Sequence, residues 1–243
     1  MVRQGRAGVQ AVPEVAGGFA GGRPTSMSAW LSQYGQGYLI GLGWTALIGL
    51  GASAGALVWG CVLLLLRLRG GAVGGYAVEA YTQVARNTPV LLPIFMLYFG
   101  MPMLGFLWPA AICGAMALIF QNSAYVSEIL RGSLEAVEAG QHDAAKALGL
   151  RRGLAYRKII LPQLLSHAGP ALANQCVLLI KDTSLLCAIA VPELTYSSKY
   201  FAERSAASYD IYVVTALLYL ALIGCVQLVI RHWQRSAKWR VAR

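Results

Sequence analysis

The sequence of 243 residues is 57% hydrophobic and only 12% charged, which leaves too few charges to solvate the outside of an ordinary globular domain. The composition therefore excludes a water-soluble domain and predicts a chain embedded in a membrane. A net charge of +10 would suggest nucleic acid as the partner of a soluble chain. Here the charges lie between apolar runs, so they indicate membrane topology and no nucleic acid is expected.

The N-terminal tail, residues 1–27, is rich in Gly and Ala and lacks the long apolar core of a cleavable signal peptide. We expect this tail to be disordered, and translation from Met27 is an open alternative. Residues 28–243 are expected to form one transmembrane domain.

Five apolar runs approach or exceed the roughly 20 residues that a helix needs to cross the hydrocarbon core. They lie at about 39–66, 88–107, 109–130, 168–191 and 209–231. Pro102 and Pro109 favour a tight turn between the second and third runs, which would then form a helical hairpin. Residues 72–86 include Glu79 and Arg86, and we interpret them as an interfacial helix, with a sixth span as the alternative.

The distribution of Lys and Arg predicts the orientation, because basic residues favour the cytoplasmic side. One set of connections carries the basic residues of 67–86 and 131–158 and the C-terminal residues from Arg231 onward. Apart from the N-terminal tail, the other side carries only Lys199 and Arg204. With five spans, the C-terminus is expected inside and the N-terminus outside.

The loop at 135–163 carries helix signals although it is polar and basic. Gly140 is expected to end the preceding helix, Asp143 to open a short Ala-rich helix, and Gly149 to allow a sharp exit. Pro162 is expected to stop a second short helix. Small side chains and one apolar anchor predict a surface that another protein could approach closely: Ala144, Ala145, Ala147 and Leu148. An amphipathic loop lying on lipid headgroups is the alternative.

A polar cluster interrupts the fourth predicted span at Lys181, Asp182, Thr183 and Ser184. Since a charge at bilayer depth is costly, these residues should face protein or water, where they suit the carboxylate or ammonium of a zwitterion. The facing wall of this substrate path is expected from the third span: Asn122, Ser123, Tyr125 and Glu128. A structural ion pair or a polar contact between helices is the alternative. Arg86 and Pro89 are interpreted as a bend or gate at the cytoplasmic boundary.

The sequence has no pattern typical of catalysis or of metal binding. Its five Cys occur singly in apolar runs, its three His form no ligand pattern, and it has no phosphate-cradling loop of the Walker type. We therefore expect no catalytic residue, metal or cofactor on this chain, and no ATP hydrolysis by it alone.

Residues 140–150 (GQHDAAKALGL), followed by ILPQ at 160–163, resemble the EAA loop of permease subunits of binding-protein-dependent ABC importers. Asp143 stands where this family usually has Glu, which keeps the charge. Other stretches resemble the polar amino acid branch, of the histidine, glutamine or glutamate–aspartate type, in order and spacing: RNTP at 86–89, YFGMP at 98–102, NSAY at 122–125, KDTSL at 181–185 and VPEL at 191–194. The resemblance covers about residues 41–239.

The resemblance implies a type I ABC importer permease, which is a multi-pass protein of the bacterial cytoplasmic (inner) membrane. Its implied partners are a second permease copy or paralogue, a dimer of ATP-binding subunits that use ATP and Mg, and a periplasmic or lipid-anchored substrate-binding protein. Residues 141–150 would be the coupling helix that fits a groove of the ATPase, and Pro162 would set the angle of the following helix. The implied docking residues are Gly140, Gln141, His142, Asp143, Ala144, Ala145, Leu148 and Gly149.

The resemblance further implies that a polar amino acid crosses the membrane by alternating access, driven by the separate ATPase. Which amino acid is carried stays open. A stand-alone secondary transporter or channel subunit is the alternative, but it gives no reason for a docking loop, and no inverted repeats are evident. A membrane enzyme would need a nucleophile with its base or a metal cluster, and the sequence predicts neither.

Overall fold

The computed structural model describes residues 27–205 and 208–236, and within these ranges it is almost entirely helical and contains no strand. The α-helices in chain order are α1 (Met27–Arg69), α2 (Gly71–Asn87), α3 (Leu91–Phe95), α4 (Ala110–Glu135), α5 (Ala139–Ala147), α6 (Arg152–Ala155), α7 (Leu161–Asp182), α8 (Leu194–Ala202) and α9 (Ser208–Ser236). The N-terminal tail expected to be disordered lies outside the described residues, apart from Met27.

Four helical runs of the described chain are long and apolar enough to cross a membrane: Ser32–Arg69, Ala110–Glu135, Arg152–Ile189 and Ser208–His232. A fifth span results if α2 and the run Leu91–Leu104 are counted together, since this pair passes the same test although it is bent by 95°. The predictions of an all-α membrane protein and of about five spans are therefore confirmed.

The bent pair differs from the predicted interfacial helix at 72–86 followed by an independent span at 88–107. Pro89 has no N–H to continue α2, and Thr88 before it is extended, with φ −100° and ψ 129°. The run Leu91–Leu104 changes from α-helix to a π-helical turn at Met96–Gly100 and then to a 3-10 helix. At 1.5 Å per residue it would be about 21 Å long, too short to cross the hydrocarbon core alone.

The predicted end of a short helix at Pro162 is wrong, because the helical run Arg152–Ile189 continues through this residue. Pro162 removes one i→i−4 hydrogen bond, and a wider π-helical turn at Tyr156–Ile160 directly precedes it. The span predicted at 168–191 therefore begins earlier in the chain than expected. It consists of α7, which starts at Leu161, and a 3-10 helix at Thr183–Ile189.

Packing contacts divide the described chain into two units. The first combines the part of α1 up to Ala52 with Pro89–Leu118 and Leu179–Gly224. The second combines Ser53–Thr88 and Ile119–Leu178 with the part of α9 from Cys225. Within the described residues Lys and Arg outnumber Asp and Glu in the second unit, whereas the only basic residues of the first are Lys181, Lys199 and Arg204.

The core of the first unit joins α1, α8 and α9 around aromatic side chains. The rings of Tyr38 and Phe201 lie 5.3 Å apart, and the Tyr38 hydroxyl donates to the carbonyl of Ile211 at 2.9 Å. Gly41 lets α8 approach, since a Cβ at this position would lie 3.1 Å from the Cα of Leu194. Thr45 adds a hydrogen bond, its Oγ1 accepting from the N–H of Leu194 at 3.1 Å. Small residues thus allow close helix packing.

The second unit packs the C-terminal half of α1 against α4 by the same device. A Cβ at Gly60 would lie only 3.0 Å from the carbonyl oxygen of Ser123, and one at Gly55 would meet Ile119. These glycines bring the two helices together and thereby place the end of α1 beside the polar C-terminal half of α4.

Candidate functional site

The predicted coupling loop, residues 135–163, contains the short helix α5. This helix begins at Ala139 after the extended N-cap residue Glu138, and α4 has already ended at Glu135. Gly140 therefore lies in the first turn of α5, although we expected it to end the preceding helix. Asp143 lies inside α5, although we expected it to open the helix.

The exit from α5 follows the expectation for Gly149, whose φ of +65° is in the left-handed region that favours glycine. The N–H of Gly149 donates to the carbonyl of Lys146 at 2.9 Å, and the N–H of Leu150 donates to the carbonyl of Ala145 at 3.1 Å. This pair of bonds is a Schellman motif, which satisfies the last carbonyls of the helix and turns the chain sharply away.

The exposed surface of α5 and its exit turn, which we call the docking knob (residues 140–149), includes small residues and one large apolar side chain. Leu148 is 75% exposed, and a Cβ added to Gly140 would meet nothing within 4 Å. Ala144 is also exposed, but Ala145 is only 3% exposed and therefore packs against the chain itself, contrary to the expectation that it faces outward. The side chains of His142 and Asp143 lie outside the described part of the structure.

Gln141 connects the docking knob to the base of α7. The side-chain amide of Gln163 donates to the Gln141 side-chain oxygen at 3.4 Å and to the carbonyl of Ile159 at 3.0 Å. Gln163 thus bonds both α5 and the π-helical turn that precedes α7. A displacement of α5 would act directly on the start of this long helix.

An ion-pair cluster joins the end of α1, the middle of α2 and the C-terminal part of α4, next to the coupling loop. Arg67 bonds Glu79 at 2.9 Å and Glu128 at 2.8 Å, and Arg131 bonds Glu128 at 3.0 Å and Glu135 at 2.7 Å. Glu128 was expected to line the substrate path, but both of its carboxylate oxygens accept hydrogen bonds from arginine. The cluster ends at Glu135, where the coupling loop begins.

Polar contacts continue from the cluster along α2 to the bend at Thr88. Gln83 donates to Glu79 at 2.8 Å, and Asn87 donates to Gln83 at 3.1 Å. The side-chain amide of buried Gln121 donates to the Thr88 carbonyl at 2.9 Å, so α4 directly contacts the break before Pro89.

The predicted gate residue Arg86 lies beside this bend, with its guanidinium carbon 5.4 Å from the centre of the Tyr125 ring. This cation–π geometry connects a residue of the predicted gate with one of the predicted substrate path. Pro89 is at the break itself, so both predicted gate residues lie where α2 ends.

The remaining predicted path residues on α4 are buried in the second unit and hydrogen-bonded. The Asn122 side-chain oxygen accepts from Gln175 at 2.7 Å. The hydroxyls of Ser123 and Tyr81 lie 2.9 Å apart. These contacts are polar links between helices of the kind weighed as the alternative.

The polar break, Lys181–Ser184, lies at the junction of α7 and the 3-10 helix, in the first unit. Lys181 is exposed, and it forms no ion pair with Asp182 or with any other carboxylate that the structure describes. Thr183 is buried and donates to the carbonyl of Ile180 at 2.7 Å, and Ser184 is half-buried. The helix geometry changes at the position where the sequence places its intramembrane charges.

Glu193, which the sequence did not single out as a site residue, is a fully buried carboxylate between the third and fourth candidate spans. It caps α8 by accepting from the N–H groups of Thr195 at 2.8 Å and Tyr196 at 2.6 Å, and it accepts from the Tyr219 hydroxyl at 2.9 Å. Burial raises the pKa of Glu193 to about 7, although the hydrogen bonds from Thr195, Tyr196 and Tyr219 act in the opposite direction.

The ion-pair cluster was not predicted from the sequence, although some of its pairs have a local sequence signal and others have none. Glu128 and Arg131 are three residues apart, and Arg131 and Glu135 are four apart, which are the spacings typical of ion pairs on one helix face. Arg67 is 61 residues from Glu128, and no local pattern indicates this contact.

Comparison with known proteins gives matches over most of the chain. Residues 48–239 match the family model described as binding-protein-dependent transport system inner membrane component. The probable amino-acid ABC transporter permease protein YckA of Bacillus subtilis (strain 168) is 36% identical over 182 residues, which are 75% of this chain and 80% of YckA. The glutamine transport system permease protein GlnP of Escherichia coli (strain K12) is 32% identical over 197 residues, 80% of this chain and 89% of GlnP.

Among solved structures, one chain of an amino acid ABC transporter crystallised with histidines superposes with a TM-score of 0.77 at 26% sequence identity. The match covers 87% of the present chain and 99% of the transporter chain. The sequence relatives and the structural neighbour are therefore all named as parts of amino-acid or glutamine transport systems.

Proposed function

The chain belongs to the family of binding-protein-dependent transport system inner membrane components, and we propose on this premise that it imports a polar amino acid with energy from a separate ATPase. The amino acid class is supported by the relatives, since YckA is named as an amino-acid permease and GlnP as a glutamine permease. The transporter of similar structure contains histidines. The proposed location is the bacterial cytoplasmic membrane.

The docking knob is the observation that carries the coupling proposal. It presents exposed Leu148 and the small residues Gly140 and Ala144, and the packing of the described residues does not require glycine at position 140. An exposed apolar anchor surrounded by small residues suits insertion into a groove of another protein. The proposed groove belongs to the ATPase subunit, which binds ATP and Mg.

The contacts of the coupling loop provide a path by which movement of the ATPase would reach the membrane helices. Gln141 on α5 bonds Gln163 at the base of α7. A push on α5 would thus act directly on the start of this long helix. The proposed result is alternating access, in which two arrangements of the helices are populated according to the nucleotide state.

The polar break is the proposed lining of the substrate path. Lys181 is an exposed ammonium without a carboxylate partner among the described residues, and an unpaired charge at this depth is costly unless it meets water or a ligand. A zwitterionic amino acid offers the carboxylate that Lys181 lacks. Asp182 beside it would suit the substrate ammonium.

The other proposed partners are a second permease copy or paralogue and a substrate-binding protein outside the membrane. The described part of α9 supports this proposal, because only 6% of the most apolar stretch of Ser208–His232 is buried within the chain. The exposed remainder of this stretch would be covered by lipid or by another protein. The substrate would be selected first by the binding protein.

Gly140→Arg tests the coupling proposal. The variant is expected to insert normally, because Gly140 is exposed and a Cβ added there meets nothing within 4 Å, but to lose ATPase binding and at least tenfold of transport. Gly132→Arg is the matched control. Gly132 is also exposed, and a Cβ added there meets nothing within 4 Å, but it lies on α4 and outside the docking knob. Uptake and co-purification with the ATPase should both be measured. Normal values for Gly140→Arg would contradict the proposed docking.

A further inference from the structure

We propose that a cleft between α7 and α9 binds the phosphate group of an anionic phospholipid. The cleft has a volume of about 210 Å³ and lies in the second unit. Its lining comes from two facing helix segments: Pro170, Ala173, Asn174 and Val177 of α7, and Gln227, Ile230, Arg231 and Gln234 of α9. This space accommodates a headgroup larger than a single ion.

The polar side chains of the cleft supply hydrogen-bond donors that bond no residue in the described part of the chain. Arg231, Asn174, Gln227 and Gln234 form no side-chain hydrogen bond or ion pair with any residue that the structure describes. A guanidinium can bind two oxygens of one phosphate, and neighbouring amide groups can donate to the remaining oxygens or bond a headgroup hydroxyl.

The charge around the cleft favours an anion. Residues 163–180, which include the α7 side, contain no Asp or Glu, and no Asp or Glu follows Asp210 in the sequence. Arg231 is followed by Arg235, Lys238, Arg240 and Arg243. An anion bound in the cleft would therefore meet no carboxylate on either facing segment.

The position of the cleft distinguishes a lipid from a soluble anion. Arg231 lies in the last turns of the candidate span Ser208–His232, and the preceding residues Leu228 and Val229 are exposed and apolar. The cleft thus combines an apolar outer surface with a basic residue at the end of the span. A basic pocket between membrane helices at the cytoplasmic boundary is typical of a headgroup site.

Lipid retention tests this assignment. The permease, purified with its partner subunits, is placed in phosphatidylcholine nanodiscs containing a minority of phosphatidylglycerol, and the phosphatidylglycerol retained after extraction is counted by native mass spectrometry. Arg231→Gln is expected to lower retention roughly fivefold. Arg69→Gln removes an exposed arginine from the end of α1 in the same unit and is expected to retain the wild-type amount. Equal retention by the two variants would overturn the proposal.

Two further measurements separate lipid from other occupants of the cleft. A photoreactive residue at position 230 is expected to form an adduct with phosphatidylglycerol, whereas an adduct with a second copy of this chain would overturn the proposal. Inorganic phosphate should not displace the lipid, and displacement at millimolar phosphate would assign the cleft to a soluble anion. If Arg231→Gln does not fold, Gln227→Ala provides the test, with a smaller loss of retention expected and an unchanged amount contradicting the proposal.

Discussion

Glu193 combines two properties that usually exclude one another, complete burial and an ionisable side chain. The N–H groups of Thr195 and Tyr196 and the hydroxyl of Tyr219 supply three donors to its carboxylate. Such donors and the positive end of α8 stabilise the charged form, whereas loss of water destabilises it. The balance leaves the pKa of Glu193 at about 7, so the group titrates in the physiological range.

Glu193→Gln is expected to reduce the pH dependence of stability. Because the pKa of Glu193 is raised from 4.5 to about 7, the folded state keeps a proton that the unfolded state releases within this window. The free energy of unfolding should therefore fall as the pH rises from 4.5 to 7, by up to roughly 3 kcal/mol. The glutamine cannot titrate, so its melting temperature in detergent should fall less over this range.

Glu203→Gln is the control for that measurement, since Glu203 is exposed and lies 4.0 Å from Lys199 in the same unit. It should keep the wild-type pH dependence. If Glu193→Gln and the wild type lose the same number of degrees between pH 5 and pH 7, another group titrates and the role assigned to Glu193 is wrong.

Lys181→Ala should impair transport without impairing assembly. If Lys181 binds the substrate carboxylate, its loss removes a charge-assisted hydrogen bond, which corresponds to roughly a tenfold lower uptake. Lys199→Ala removes an exposed lysine of the same unit and should transport normally. Uptake kinetics in proteoliposomes provide the measurement, and equal kinetics for the two variants would leave Lys181 without a role in the path.

At the scale of elements, the ion-pair cluster holds the end of α1, the middle of α2 and the C-terminal part of α4 together. Arg67 at the end of α1 contacts both α2 and α4, and Glu128 binds both Arg67 and Arg131. Arg67, Glu128 and Arg131 are partly buried, so loss of one of them would leave a charge only partly solvated. Removing one partner of such a pair therefore costs more than removing one partner of a fully exposed pair.

Arg67→Gln is expected to lower the free energy of unfolding by roughly 1–2 kcal/mol. Arg69→Gln, two residues later and exposed, should have no measurable effect. The double variant Arg67→Gln/Glu128→Gln should be less destabilised than the sum of the single variants, because the pair is removed together. Thermal unfolding of the wild type, Arg67→Gln, Glu128→Gln and the double variant tests this, and strict additivity would show that the two residues do not interact.

The elements were predictable to the extent that their causes are local. The exit of α5 at Gly149 follows from an Ala-rich helix ending in glycine, and the structure has the left-handed φ that this predicts. The burial of Ala145 could not be predicted, since the alanines of α5 differ only in what lies next to them in space. The continuation of the helix through Pro162 depends on a π-helical turn, for which the sequence has no reliable signal.

For the whole molecule, energy is expected to come from the ATPase subunit alone. Uptake should disappear when the ATPase is deleted and should persist when a protonophore removes the proton gradient. Deletion of the ATPase genes with retained uptake would instead indicate a secondary carrier. The prediction depends on the family and on the exposed docking knob, and a transport assay in cells checks it.

Composition predicted the membrane class of the whole chain because a bilayer requires apolar surface in every span. The 95° bend between α2 and Leu91–Leu104 was not predictable. Pro89 indicates that a helix ends, but it does not indicate the direction that the next helix takes. The substrate path was least predictable, because residues such as Asn122 serve as well in contacts between helices as in binding.

The 3-10 helix at Thr183–Ile189 has a mechanical consequence for the residues beside it. A 3-10 helix advances about 2.0 Å and turns about 120° per residue, whereas an α-helix advances 1.5 Å and turns 100°. Over its 7 residues, the two geometries differ by about 3.5 Å in length and about 140° in rotation. If this segment alone changed between the two helix types, Lys181 and Asp182 would therefore turn a different face toward α8. No hinge between rigid helices would be needed.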